Sequence, residues 1–133
     1  MPRTGKIWGE TNEFFSTANV SVHALTIKAG GYSSAHEHRA KSNLFYVVSG
    51  RIRIIIERGA GFDITTLKAG DSTTVEAGVY HRFFALENSE VIEIYETSLQ
   101  EPDISRKDSG GITIPDERPR AIGTKPHPWN PFL

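Results

Sequence analysis

The chain has 133 residues, no cysteine and a single methionine. Disulfides, thiolate metal sites and cysteine nucleophiles are therefore excluded, and metal ligation falls to nitrogen and oxygen donors. No window approaches the roughly 18 apolar residues of a membrane-crossing helix, and the opening MPRTGKIW lacks the apolar core of a signal peptide. These absences predict a cytoplasmic protein with no membrane partner. Neither sign of charge is in excess: 15 Lys and Arg face 16 Asp and Glu, for a formal net charge of −1. A general nucleic-acid binder would carry a basic surplus. Long helical periodicity is missing too.

What is present is a succession of short, β-branched, alternating segments punctuated by glycine. Residues 20–28, 33–38, 43–49, 51–58, 62–67, 72–75, 81–86 and 91–95 read as strands. Turn signals separate them at Ala29-Gly30-Gly31, Ser49-Gly50, Gly59-Ala60-Gly61, Ala69-Gly70-Asp71 and Ala77-Gly78. Recurrence about every ten residues predicts an all-β sandwich or small barrel. Residues 1–19 form an N-terminal arm or edge strands, residues 20–100 the barrel core, and residues 101–133 an extension holding six of the seven prolines. A short helical turn is expected at 103–107. Residues 112–133, with Trp129 and Phe132, are expected to run extended over the barrel or a partner subunit.

Two histidines, His36 and His38, lie two positions apart. On a strand such residues share a face, so both imidazoles are available to one metal ion. A third, His81, heads the apolar run HRFFAL. Three histidines from two strands would make an open metal site.

These positions fall on a wider pattern. Gly30, His36, His38 and Gly50 match the first motif of the cupins, small double-stranded β-helix barrels, and Gly70, Gly78 and His81 match the second. The chain resembles that family over about residues 20–97, with phrases at 46–50, 77–82 and 91–106 similar to cupins related to mannose-6-phosphate isomerases. The resemblance implies His36, His38 and His81 as ligands of one divalent ion, with iron, manganese, nickel, copper and zinc all compatible with imidazole donors. His23 and His127 fall on neither motif and read as structural or exposed. The family's metal-site glutamate is replaced by Asn43, either a weak fourth ligand or a hydrogen bonder behind the ligands. The motif proline is replaced by Glu76 and its asparagine by Ala85.

Alternation fills out the pocket. If Asn43 points inward so do Phe45 and Val47, while Leu44, Tyr46 and Val48 face away; Phe83 shares the inner face with His81, and Arg82 and Phe84 face away. Phe45 and Phe83 would form an apolar wall beside the metal. Glu76 and Glu93 are candidate general bases, with Tyr95 a candidate proton donor. The parity of Glu93 is open, because Ile92 and Ile94 compete for the interior. Arg39 and Lys41 lie where they could steer an anion, or simply in a solvated loop. The expected function is a metal-dependent enzyme acting on a small oxygenated molecule, resembling either a sugar or sugar-phosphate isomerase or a three-histidine iron dioxygenase. The rival is a non-catalytic barrel that binds a sugar or another small ligand. A homodimer is expected, paired through Trp8, Phe14, Phe15 and the Pro-rich extension.

Overall fold

The computed structural model describes residues 3–39, 41–97 and 104–113, and no helix occurs among them. Among the described residues, thirteen strands form two antiparallel sheets. The first sheet contains β1 (Arg3–Lys6), β2 (Gly9–Ser16), β3 (Val20–Ile27), β6 (Lys41–Ser49), β9 (Ser72–Val75) and β11 (Ser89–Thr97), in the spatial order β1-β2-β3-β11-β6-β9. The second is built on β10 (His81–Ala85). On one side β10 pairs with β7 (Arg51–Arg58), which continues to β8 (Gly61–Lys68). On its other side β10 pairs with β4 (Gly31–Tyr32) and β5 (His36–His38), which are edged by β13 (Gly111–Ile112) and β12 (Ile104–Arg106).

Period-2 alternation decides what lies between the sheets. Ile52, Ile54 and Ile56 of β7 join Phe83 and Ala85 of β10, and from the first sheet Leu25, Ile27, Phe45, Val47, Val75 and Val91 close one core. Asn43, Phe45 and Val47 are each at most 1% exposed, whereas Tyr46 and Val48 are exposed, as alternation predicts. The tight β6–β7 turn depends on Gly50, whose φ of 88° is left-handed and whose added Cβ would lie 2.4 Å from the Asn88 carbonyl oxygen.

Several expectations are corrected. Residues 33–38 do not form one strand: 33–35 are irregular, and their backbone bonds to adjacent segments are mixed with side-chain ones. Ser33 Oγ accepts the Phe83 amide, and Asp108 Oδ1 accepts the Ala35 amide. The turn expected at 103–107 is strand at 104–106, which pair with β5. Arg82 and Phe84, placed outward by parity, are nevertheless buried: the connection between β12 and β13 brings Asp108 against Arg82, and Phe84 stacks on Tyr32 at 6.2 Å. Arg82 Nε donates to the Ser33 carbonyl, and its Nη2 reaches both oxygens of Asp108 at 2.5 and 2.6 Å. Trp8 packs edge-on against Phe83 at 4.9 Å and is spent in the chain's own core, leaving Phe14 and Phe15 as the exposed aromatics of the arm. The expectation for residues 114–133 lies outside the described residues.

Candidate metal centre

The pairing of β5 with β10 sets His36 directly opposite His81. His38, two residues along β5, shares the same face. The three imidazoles are buried, and each offers a nitrogen within 4.8 Å of the others'. Their ring centroids are separated by 4.5, 5.1 and 5.7 Å.

The local backbone sets which nitrogen each ring presents. His36 Nδ1–H donates to the Ser34 carbonyl at 2.7 Å, and His81 Nδ1–H donates to the Val79 carbonyl at 3.0 Å. Both bonds run to the residue two positions back, and both leave Nε2 for a ligand. His81 Nε2 is buried with no hydrogen-bond partner among the described residues, which fits a nitrogen that would bind an ion. Burial, then the neighbouring imidazoles of His81 and His38, hold the His36 pKa down to about 2, and burial lowers that of His81. Neutral imidazoles are the form a metal requires. The triad fits one divalent ion, and its donors suit iron, manganese, nickel, copper or zinc.

Asn43 sits behind the triad and is 1% exposed. Its Nδ2 donates to Glu93 Oε2 at 2.7 Å, while its Oδ1 has no hydrogen-bond partner among the described residues. The amide therefore anchors a carboxylate instead of supplying one.

The parity of Glu93 is settled by its neighbours across the sheet. It lies between His23 of β3 and Phe45 of β6, so Val91, Glu93 and Tyr95 face inward and Ile92 and Ile94 outward. Burial lifts the Glu93 carboxyl from 4.5 to about 7, against the opposing effects of hydrogen bonds from Tyr95 and Asn43 and of Lys41 and Lys6. Burial, followed by Glu93 itself, raises the Tyr95 phenol well above its usual value, so Tyr95 stays protonated and donates to the carboxylate.

This shift carries a stability prediction. The native carboxyl keeps its proton up to about 7, whereas the unfolded chain releases it near 4.5. The native state therefore binds the extra proton in that window, and this contribution, full below 4.5, is lost as pH rises through 7. His36 acts in the opposite sense, with a contribution full above 6.5 and lost as pH falls toward 2. A comparison of wild type with Glu93→Gln isolates the carboxyl. In chelator-treated protein, the variant gains about 3 kcal/mol over wild type between pH 4.5 and pH 8. Urea denaturation at the two pH values checks this, and a constant difference would refute it.

A cavity of about 410 Å³ borders the triad at His36, while His38 and His81 are not among its lining residues; Phe83, Glu93 and Tyr95 line it together with Lys6, Trp8, His23, Leu25, Ser34, Arg106 and Asp108. Phe83 thus lies at the pocket wall. Phe45 packs against the His81 ring at 6.2 Å but belongs to the sealed core. Glu76 is exposed on the turn after β9 and is not among the residues lining the cavity. Neither Arg39 nor Lys41 lines it: Arg39 reaches Glu37, and Lys41 Nζ lies 4.6 Å from the Tyr95 ring centre. His23 falls on no motif, yet it lines the cavity, edge-on to Tyr95 at 5.2 Å. Lys6, Ser34, Arg106 and Asp108 were not singled out as site residues by the sequence, because only the fold brings them to this cavity.

No curated protein matches the sequence. Among solved structures, oxalate decarboxylase from Bacillus subtilis aligns with a TM-score of 0.71 and 19% identity, over 80% of this chain and 30% of that one. KdgF from Halomonas sp. aligns with a TM-score of 0.65 and 19% identity, over 73% of this chain and 88% of that one. A further oxalate decarboxylase structure, concerned with that enzyme's Mn(II) centres, aligns with a TM-score of 0.66 and 17% identity, over 75% and 28% of the two chains. This chain thus spans about a third or less of the decarboxylase, and the likeness at such identities is one of fold. Residues 23–95, more than half of the chain, match the cupin domain, and the chain belongs to the cupin family.

Proposed function

We propose that this cupin is a metal-dependent enzyme that moves a proton on a small oxygenated molecule, such as a sugar, sugar phosphate or keto-enol compound. The observation that carries the reading is Glu93: a buried carboxyl on the wall of the cavity that borders the triad at His36, held at about 7 and pinned by Asn43. A group poised near neutral pH serves equally as acceptor and donor. A bound divalent ion would supply Lewis acidity to adjacent substrate oxygens. The chain's own part is to take a proton at a Glu93 oxygen and return it to a neighbouring carbon or oxygen. Tyr95 donates a hydrogen bond that steadies the ionised carboxylate, while Trp8, Leu25 and Phe83 exclude water from one wall. This chemistry favours the isomerase-like branch. A dioxygenase-like branch is supported by Asn43, which leaves three neutral imidazoles as the donor set.

The test is hydrogen exchange. Metal-loaded protein in D2O, incubated with a panel of sugars, sugar phosphates and hydroxyketones, is expected to introduce deuterium next to the carbonyl, read by NMR. Oxygen consumption with 1,3-diketones and no exchange would replace this reading with the dioxygenase one. Ligand binding with neither activity would favour a sensor or accessory barrel.

A further inference from the structure

We propose that the cavity takes a ligand bearing an oxyanion, a carboxylate or a phosphate, held by Arg106 together with Lys6 beside the histidine triad. The inference deepens the functional reading above and rests on its assignment of this cavity as the substrate site.

Strand pairing places the guanidinium. β12 runs antiparallel to β5 with Arg106 directly opposite His36, so a permanent cation and a metal-facing imidazole are neighbours across one ladder. Ser34 joins them: Arg106 Nη1 donates to Ser34 Oγ at 2.9 Å, and the Ser34 carbonyl accepts His36 Nδ1–H at 2.7 Å. One guanidinium N–H is thereby tethered while the rest of the planar fork, the geometry that suits carboxylate and phosphate, is directed by that tether.

The charges on the wall do not cancel internally. The carboxylate nearest in sequence, Asp108, is committed through both oxygens to buried Arg82. Glu93 is engaged by Asn43 and Tyr95. Among the described residues no carboxylate forms an ion pair with Arg106 or Lys6, although both line the cavity. Three neutral histidines would leave the full charge of any bound dication in place. Lys6 and Arg106 are solvent-exposed and share the cavity wall with Trp8, Leu25 and Phe83. A volume of about 410 Å³ admits a molecule of monosaccharide size.

The test measures binding rather than turnover. Glucose, glucuronate and glucose 6-phosphate form a neutral, carboxylate and phosphate series, titrated calorimetrically into Mn(II)-loaded protein. Wild type, Arg106→Gln and Arg106→Lys are compared at matched metal content and matched circular dichroism. At least one anion is expected to bind at least about tenfold more tightly than glucose, and Arg106→Gln to weaken it by about tenfold to a hundredfold. Arg106→Lys should fall between, with glucose unaffected. The tighter anion identifies the group recognised. Anions that bind no better than glucose, including no binding by any of the three, overturn the proposal. So does an anion affinity untouched by Arg106→Gln, which would mean that the metal alone holds it. Arg106-dependent anion binding without hydrogen exchange would reject the enzymatic reading and leave this one standing. Exchange on a neutral compound with no preference for anions would do the reverse.

Discussion

Glutamine at position 93 is expected to lower turnover by about two to four orders of magnitude while the metal content stays unchanged. Glutamine keeps the side-chain volume and an acceptor for the Asn43 amide and the Tyr95 hydroxyl, so the inner wall of the first sheet is preserved. What it loses is the proton that the carboxyl takes and returns. The variant therefore separates chemistry from architecture. A second readout is the pH profile. In wild type the proton-accepting form of Glu93 grows in as pH rises through about 7, and kcat should climb with it. In Glu93→Gln that limb disappears from the residual rate. Steady-state kinetics from pH 5.5 to 8.5, on whichever panel compound exchanges deuterium, give both results. A variant rate within a few-fold of wild type would reduce Glu93 to a buried structural acid.

His81→Ala is expected to leave less than about a tenth of the wild-type metal after purification and reconstitution. His36 is fixed by its Nδ1 bond to the Ser34 carbonyl, so this remaining ring does not swing to replace the lost donor. His23→Ala is the control. His23 lines the same cavity but lies outside the triad, so its loss should leave metal content intact. Elemental analysis of the three proteins, with circular dichroism to confirm folding, decides the matter. Equal metal in wild type and His81→Ala would dissolve the triad as a metal centre, whatever the rings' proximity.

Apart from His81, which only the motif resemblance singled out, the sequence by itself determined the all-β class, the glycine turns and the shared face of His36 and His38. Each follows from a short-range rule: side chains alternate along a strand, glycine accepts the left-handed turn at position 50, and residues 36 and 38 must share a face. Inward Asn43, Phe45 and Val47 follow from the same rule once one member of the strand is placed.

Tertiary structure decided what surrounds the ligands. Alternation along β11 allowed either Ile92 and Ile94 or Val91, Glu93 and Tyr95 to face inward, and only pairing with His23 and Phe45 selected the second set. The segment at 104–106 became a strand because β5 offered it an open edge, and that pairing delivered Arg106 to His36 and helped bring Asp108 to Arg82 across 26 residues of sequence. Local propensity is a weak guide for three-residue strands, whose stability comes from the partner ladder. Periodicity reports which residues share a face; it carries no record of which strand lies alongside, and that neighbour supplies both the buried acid and the cations of this cavity.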